Sequence, residues 1–281
     1  MSDPHPHDTV RSPLSAAIGD VAGRIADLLR VGAGTTGIGT GIGSGAGIRI
    51  RGATWSVAEA AAHLAMVNGL MAELAAGGER PYGDGTPGGL AAANEASLAA
   101  YPERDPAVLA EEIVRQARAF TDATALRPAD EPTVTPMGPM ELGVLGSYLL
   151  THMLGHGYDI AVALRRPHMI DRARVDLSLP FLVTAMPRVV DARAAAGHNA
   201  CYDLRVRGGS RFAVTFTDGV VAVTEEPPRR PDCTIMAEPV TFFLLALGRQ
   251  TPGGAIARLK IAAWGRKPWL APGFPGLFTA P

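Results

Sequence analysis

Two histidines, His152 and His156, stand four residues apart in a segment whose apolar periodicity predicts a helix. Residues at this spacing project from one helix face, so both imidazoles can reach a single metal ion. The stripe that contains them reads Leu142, Leu145, Leu149, His152, His156, Asp159 and Ala163. Such a stripe is typical of a helix packed in a bundle. Buried polar groups are costly without a partner, so something should satisfy these two imidazoles and the Asp159 carboxylate.

A third histidine, His63, occupies the apolar stripe of an earlier predicted helix. That helix begins with Ser56 as its N-cap and has Glu59 three residues later, which is the capping-box arrangement. Helical bundles build metal sites from inward-facing side chains, and three protein ligands with an open fourth position is the catalytic pattern for zinc. We therefore predict that His63, His152 and His156 bind a metal ion. The alternative is that each is a hydrogen-bonded core residue, since no spacing rule connects His63 to the pair.

Length and composition are those of a globular protein with room for two domains. The chain has 281 residues, of which 47% are hydrophobic and 19% charged, and its formal net charge is −1. Its scattered Lys and Arg residues give no electrostatic footprint for nucleic acid, and no apolar run reaches the length of a membrane span. The first residues lack the pattern of a signal peptide, and only two cysteines occur. We therefore expect a cytoplasmic protein.

The elements that must position the histidines are predicted to form a four-helix bundle over residues 10–167. Helices are expected from Ser12-Pro13 to about Val31, from Ser56 through the His63 stripe, from Asp105-Pro106 to about Leu126, and from near Pro139 to Arg165-Arg166. Residues 32–47 have glycine at nearly every second position but no lysine and no preceding strand, which favours a flexible insertion over a phosphate-binding loop. The Gly- and Pro-rich stretch 77–89 is predicted to be a loop that borders a pocket.

A second domain is predicted over residues 172–281. Alternating patterns at 202–207 and 211–217, followed by a hairpin signal at Asp218-Gly219 and the run 220–223, indicate antiparallel strands. Another short strand is expected at 232–236, followed by helices at about 240–247 and 253–263. The predicted fold class is therefore α+β, with an N-terminal four-helix bundle followed by a small α+β domain that contains an antiparallel sheet.

With these residues in view, the sequence resembles the mycothiol-dependent maleylpyruvate isomerase family of actinobacteria over most of its length. The segment from Trp55-Ser56-Val57 to Ala62-His63-Leu64 is similar to the family's first metal-ligand helix. The segment His156-Gly157-Tyr158-Asp159-Ile160-Ala161 is similar to its second. Residues 202–278 are similar to the sterol-carrier-like domain that often follows the DinB-like four-helix bundle in these proteins. The resemblance thus implies a DinB-like bundle and a sterol-carrier-like second domain.

The resemblance also implies a divalent metal, expected to be zinc, and the low-molecular-weight thiol mycothiol as cofactors. A metal-coordinated thiol is deprotonated and its thiolate is the nucleophile, so we expect a metalloenzyme that performs isomerisation or S-transfer on a small organic substrate. Many relatives have a glutamate where this chain has His152. Three neutral imidazoles leave the full charge of a dication to attract an anion, and maleylpyruvate is therefore not carried over as the substrate.

Two other functions stay open at this point. One is a metal-dependent isomerase, hydrolase or lyase in which a bound water or a substrate oxygen replaces the thiol. The other is a non-enzymatic carrier whose second domain holds an apolar small molecule while the histidines are structural.

Few further side chains qualify for chemistry. Asp159, three residues after His156, is predicted to be catalytic by orienting a ligand or the cofactor, with capping of a local backbone group as an equal alternative. Positive charge for a carboxylate-bearing substrate could come from Arg249, Arg266 and Lys267. The favoured interpretation is that each of these side chains lies at the solvated surface. The sequence singles out neither a general acid nor an oligomeric state.

Overall fold

The computed structural model describes residues 12–34 and 45–279 of the chain. Within them the helices are α1 (Pro13–Gly34), α2 (Val57–Ala75), α3 (Pro87–Ala100), α4 (Pro106–Thr124), α5 (Leu142–Ala163), α6 (Arg172–Ala185), α7 (Pro239–Ala246) and α8 (Pro252–Ala257). The strands are β1 (Pro132–Thr135), β2 (Gly138–Glu141), β3 (Ala200–Val206), β4 (Arg211–Thr217), β5 (Val220–Thr224), β6 (Cys233–Ala237) and β7 (Ile261–Trp264). Most of the glycine-rich insertion predicted at 32–47 lies outside the described residues.

The N-terminal half is the predicted four-helix bundle. Helices α1, α2, α4 and α5 pack against one another, and α3 lies beside α2. Their shared core contains Ile25, Leu64, Leu109 and Leu149, each almost fully shielded from solvent. Burial of one such side chain stabilises the fold by about 1.5–3 kcal/mol, so the bundle has the hydrophobic core that its apolar stripes predict.

Side-chain caps set where α2 and α4 begin. The Ser56 hydroxyl accepts a hydrogen bond from the Glu59 amide, and the Glu59 carboxylate accepts one of 2.7 Å from the Ser56 amide. Asp105 accepts a hydrogen bond of 2.8 Å from the Ala107 amide. A cap of this type is worth about 0.5–2 kcal/mol. Because the capping box fixes the start of α2, it also fixes the helix phase that turns His63 toward the bundle interior.

Glycines in α5 let neighbouring elements approach closely. A Cβ on Gly146 would lie 2.9 Å from the Leu14 side chain, and one on Gly157 would lie 3.1 Å from Ile25. Each glycine in a helix costs about 1 kcal/mol relative to alanine. Close packing against α1 explains why α5 tolerates that cost.

The C-terminal half is built on a five-stranded sheet of order β5-β4-β3-β6-β7. Its pairs are antiparallel except β3 with β6, which run parallel because the connection between β5 and β6 crosses to the other side of β3. The 3-10 helix Pro268–Leu277 packs on the sheet. These elements confirm the α+β class. The sheet contains one parallel pair, β3 with β6, among antiparallel pairs.

Three local expectations differ from the structure, and two helices were not expected. The helix expected at 253–263 ends at Ala257, since Leu259 adopts a positive φ of 55° and the chain turns into β7. A short apolar run such as 261–264 does not distinguish strand from helix. The fourth helix begins at Leu142, not near Pro139, because Gly138–Glu141 pairs with β1 as a hairpin. The loop expected at 77–89 ends at Thr86, which caps α3. Neither α3 nor α6 was predicted from the sequence.

Helix α6 links the two halves of the molecule. It packs against α5 on one side and α7 on the other. The Ser147 hydroxyl of α5 donates to the Leu177 carbonyl at 2.8 Å and accepts from the Phe181 amide at 3.1 Å. None of the helices in the described part of the chain is long and apolar enough to cross a membrane.

Candidate metal centre

The three predicted ligands come together from two helices. His63 on α2 and the pair His152 and His156 on α5 each offer a ring nitrogen, and these nitrogens lie within 4.8 Å of one another. The Nε2 atoms of His63 and His152 are 2.9 Å apart. Two nitrogens bound to one zinc ion at about 2.0–2.1 Å with tetrahedral angles would be roughly 3.3 Å apart. The 2.9 Å spacing lies below that value and 4.8 Å bounds the other two, so small side-chain rotations would let the three nitrogens share one ion.

All three imidazoles are neutral at physiological pH. Burial lowers the pKa of His63 to about 4. Burial also holds the pKa of His152 and His156 well below the usual value, and the neighbouring histidines and Arg249 lower both further. A metal ligand must present a lone pair, which a neutral imidazole does. The protein therefore keeps these residues in the protonation state that a metal site requires.

Hydrogen bonding within the cluster is incomplete. The Nδ1 atoms of His63 and His152 are buried and have no hydrogen-bond partner among the described residues. A hydrogen bond between the two Nε2 atoms needs one donor and one acceptor, which leaves one bare Nδ1 lone pair and one unpaired Nδ1–H. Each unsatisfied buried group costs about 1–3 kcal/mol. These residues are therefore not satisfied as ordinary core histidines, and three imidazoles are a donor set that suits zinc and similar cations.

Asp159 lies between the cluster and a basic residue of the C-terminal half. Its Oδ2 is 3.6 Å from His156 Nδ1 and 3.1 Å from Arg249 Nη2. Burial raises the pKa of Asp159, and the Arg249 guanidinium opposes that rise. The Arg249 side chain is only 20% exposed, so its interpretation as solvated surface is wrong.

Arg266 and Lys267 are placed differently. Both pair with Asp232, at 2.8 Å and 3.2 Å, and their side chains are 64% and 44% exposed. The structure does not bring either of them to the histidine cluster, and they stay at the surface of the second half.

The cluster opens into a cavity of about 1270 Å³ between the two halves. One face of α5 lines it with Tyr148, Thr151, His152, Gly155, His156 and Asp159. Arg249 enters from the connection between α7 and α8, and β3, β6 and β7 contribute a further wall. Tyr82, Gly85, Thr86 and Gly88 also line it, which confirms that the stretch 77–89 borders a pocket.

Sequence reasoning missed Trp55 and Tyr148 as side chains of this cavity and favoured a surface position for Arg249. The Trp55 ring lies 4.8 Å from His63 and 5.9 Å from His156, measured between ring centroids. Tyr148 stacks on Phe181 at 4.1 Å, and burial raises the pKa of its hydroxyl, so that the hydroxyl stays protonated. Tyr148 is four residues before His152, and the same helical spacing could have found it. Arg249 had no such signal, because only the tertiary fold brings it to Asp159.

Two family models match the chain. The model of the mycothiol maleylpyruvate isomerase N-terminal domain matches residues 50–161, and the model of the C-terminal domain of the same family matches residues 176–272. No protein of curated function matches the sequence.

Several solved structures are similar over part or most of the chain. A crystal structure of the mycothiol-dependent maleylpyruvate isomerase covers 84% of this chain and 88% of its own, with 12% identity and a TM-score of 0.47. The inverting sec-alkylsulfatase Pisa1 from Pseudomonas sp. covers 50% of this chain with 16% identity and a TM-score of 0.32. The match spans only 24% of the length of that sulfatase. The ubiquinone synthesis protein UbiJ-SCP2 covers 38% of this chain and 86% of its own, with 21% identity and a TM-score of 0.27.

Proposed function

The chain belongs to the mycothiol maleylpyruvate isomerase family, and we propose that it is a metal-dependent enzyme that uses mycothiol to isomerise a small organic substrate. The observation that carries the proposal is the convergence of three neutral imidazoles, from His63, His152 and His156, at a large cavity. When a divalent cation and a thiol are bound there, they supply a thiolate nucleophile at neutral pH.

The donor set distinguishes this site from one that includes a carboxylate. His63, His152 and His156 contribute no negative charge, so a bound dication keeps its full charge toward an anionic ligand. Asp159 is close to the cluster but already pairs with Arg249 at 3.1 Å. A dication held by these residues would therefore favour an anionic ligand such as a thiolate.

The other polar residues of the cavity have roles that follow from their positions. Arg249 offers a guanidinium to a substrate carboxylate, and its ion pair with Asp159 orients it. Tyr148 keeps its hydroxyl proton and donates a hydrogen bond to the substrate oxygen on which negative charge develops. The Trp55 ring shields His63 and His156 from water on one side.

The test begins with protein purified without a His-tag. Its metal content is measured by plasma mass spectrometry, and mycothiol binding is measured by calorimetry with and without a chelator. Turnover is then followed by proton NMR with maleylpyruvate and other cis-unsaturated carboxylic acids. We expect close to one metal ion per chain, thiol binding that disappears with the chelator, and cis–trans conversion that requires both.

Other outcomes select the alternatives. A product in which the thiol is covalently retained, detected by mass spectrometry, would assign S-transfer. Metal binding with turnover that does not depend on a thiol would assign a thiol-free metalloenzyme. Folded protein that holds no metal after incubation with zinc would overturn the proposal and favour a carrier.

A further inference from the structure

One wall of the cavity is formed by three adjacent strands and presents only aliphatic side chains. Leu204 of β3 stands beside Ile235 of β6, which stands beside Ala263 of β7. In the next row on the same face, Ala237 stands beside Ile261. All five residues line the cavity that contains the histidine cluster. We call this surface the aliphatic wall.

The opposite face of the same strands is charged. Successive residues of a strand point to opposite faces, which turns Asp203, Arg205 and Thr234 away from the cavity. Arg205 donates to Asp203 at 2.7 Å and lies 5.4 Å from the centre of the Trp264 ring. The three strands therefore separate charged from aliphatic side chains, and the cavity receives the aliphatic set.

The aliphatic wall is only partly covered by other parts of the described chain. Leu204 and Ala237 are buried, whereas Ile235 and Ile261 are half-buried and Ala263 is exposed, although all of them lie within a cavity. Ile256 of α8 also lines it and is 44% exposed. Aliphatic groups that remain accessible inside a concave site are typical of a surface that binds an apolar ligand.

The size of the cavity supports a ligand that reaches this wall. Pockets for small molecules usually enclose about 300–1,000 Å³, and this one encloses about 1270 Å³. The three histidines lie together with Asp159 and Arg249, Glu95 and Arg188 line the cavity from other elements, and the aliphatic wall adds no charged group. A small polar substrate would leave the wall facing water.

We propose that the substrate consists of a carboxylate-bearing reactive end and an alkyl chain of several carbons, and that the alkyl chain lies against the aliphatic wall while the reactive end reaches the histidine cluster. The reaction at the reactive end rests on the proposed function, whereas binding of the alkyl chain does not. The proposal therefore assigns the substrate class from the shape and chemistry of the cavity, and it can be tested by binding alone.

The probes are N-alkylmaleamic acids, which keep a constant cis-unsaturated carboxylate and vary the alkyl group from methyl to octyl. Their affinity for the zinc-incubated full-length protein is measured by calorimetry without thiol. We expect the affinity to rise by up to about fourfold per methylene until the wall is covered, the factor that corresponds to about 0.8 kcal/mol per buried methylene.

Two variants locate the effect. Ile235→Ser and Ile256→Ser should flatten the dependence on chain length and leave the affinity of the methyl probe unchanged. Val220→Ser, at a 73% exposed position of β5 in the same sheet, is the matched control and should keep the parent dependence. Thermal unfolding shows whether each variant is folded. If Ile235→Ser does not fold, Ile256→Ser alone tests the dependence on chain length.

The outcomes separate this proposal from the proposed function. Affinity that does not change with chain length, including no binding of any probe, would overturn the alkyl-chain proposal. A dependence that persists in both Ile235→Ser and Ile256→Ser would overturn it as well. If affinity depends on chain length but no probe undergoes thiol-dependent isomerisation, the alkyl-chain proposal stands and the proposed function is contradicted. If the methyl probe is isomerised but affinity does not depend on chain length, the proposed function stands and the alkyl-chain proposal is overturned.

Discussion

The Nε2 atom of His63 lies 2.9 Å from the Nε2 atom of His152, although the two residues are 89 positions apart and belong to different helices. The contact depends on two local features. The Ser56–Glu59 capping box fixes the phase of α2, and the four-residue spacing on α5 places His156 on the same face as His152. The cluster is therefore a product of helix packing, and each of its members is open to a separate test.

Loss of a histidine from either helix should strongly weaken metal binding. Loss of a residue that hydrogen-bonds to a metal ligand typically weakens metal affinity roughly 10- to 100-fold. We expect His63→Ala and His152→Ala, which remove a ligand itself, each to weaken it by more than that. The reason is that two imidazoles do not complete a three-ligand site. Metal content after dialysis against a weak chelator is measured by plasma mass spectrometry.

His168→Ala is the control for that experiment, because His168 is exposed and does not line the cavity. It should retain the parent metal content. Stoichiometric metal in both cluster variants would contradict the assignment of the site.

Loss of Arg249 should weaken substrate capture. In Arg249→Ala the substrate carboxylate loses a charge-assisted hydrogen bond, which is worth about 1.5–3 kcal/mol, so kcat/KM should fall about 10- to 100-fold. Metal content should not change, since Arg249 contacts Asp159 and not the ring nitrogens of the cluster. Steady-state kinetics with a substrate that bears a carboxylate, alongside metal analysis, provides the measurement.

Arg258→Ala is the matched control for Arg249→Ala. Arg258 follows α8 in the same half of the molecule and is exposed outside the cavity. It should behave as the parent, and an equal loss of kcat/KM in both variants would point to a non-specific effect of charge.

Tyr148→Phe tests the hydroxyl without removing the ring. The stacking on Phe181 at 4.1 Å is kept, so the variant should fold and bind metal as the parent does. If the hydroxyl donates to developing negative charge, kcat should fall about 10- to 1,000-fold while KM changes little. A merely structural role would leave kcat unchanged, and that result would remove Tyr148 from the proposed chemistry.

The site residues that the sequence could predict are those marked by patterns within one helical turn. The His152–His156 pair and the capping box of α2 are encoded within single turns, so the sequence alone placed them correctly. Arg249 reaches Asp159 only through the packing of α6 and α7 against the bundle. No period or motif reports that packing.

The fold shows the same limit. The four bundle helices have apolar stripes and caps, and all four were predicted. Helix α6 contains Pro180 and lacks a clear stripe, and the segment 261–264 is too short for its period to be read. These elements owe their structure to tertiary contacts, which override weak local preference.

The second half of the molecule contains a buried carboxylate whose ionisation should change the free energy of unfolding. The Asp203 side chain is fully shielded and accepts hydrogen bonds of 2.7 Å from both Arg205 and Arg211. Burial by itself raises the pKa of Asp203, but the hydrogen bonds from Arg211 and Arg205 outweigh burial and lower it. The folded state thus holds this carboxyl ionised more firmly than the unfolded chain does.

The sign of the pH dependence follows from that shift. The stabilisation is fully present above the unfolded pKa, near 4, and is lost as the pH falls through the lower folded pKa. In Asp203→Asn the free energy of unfolding should drop by about 1–3 kcal/mol at pH 7 and then decline less than the parent's between pH 5 and pH 3. Urea denaturation across that range measures both, with the exposed Asp130→Asn as the control. Equal acid sensitivity in the parent and Asp203→Asn would show that the Asp203–Arg205–Arg211 cluster does not govern acid unfolding.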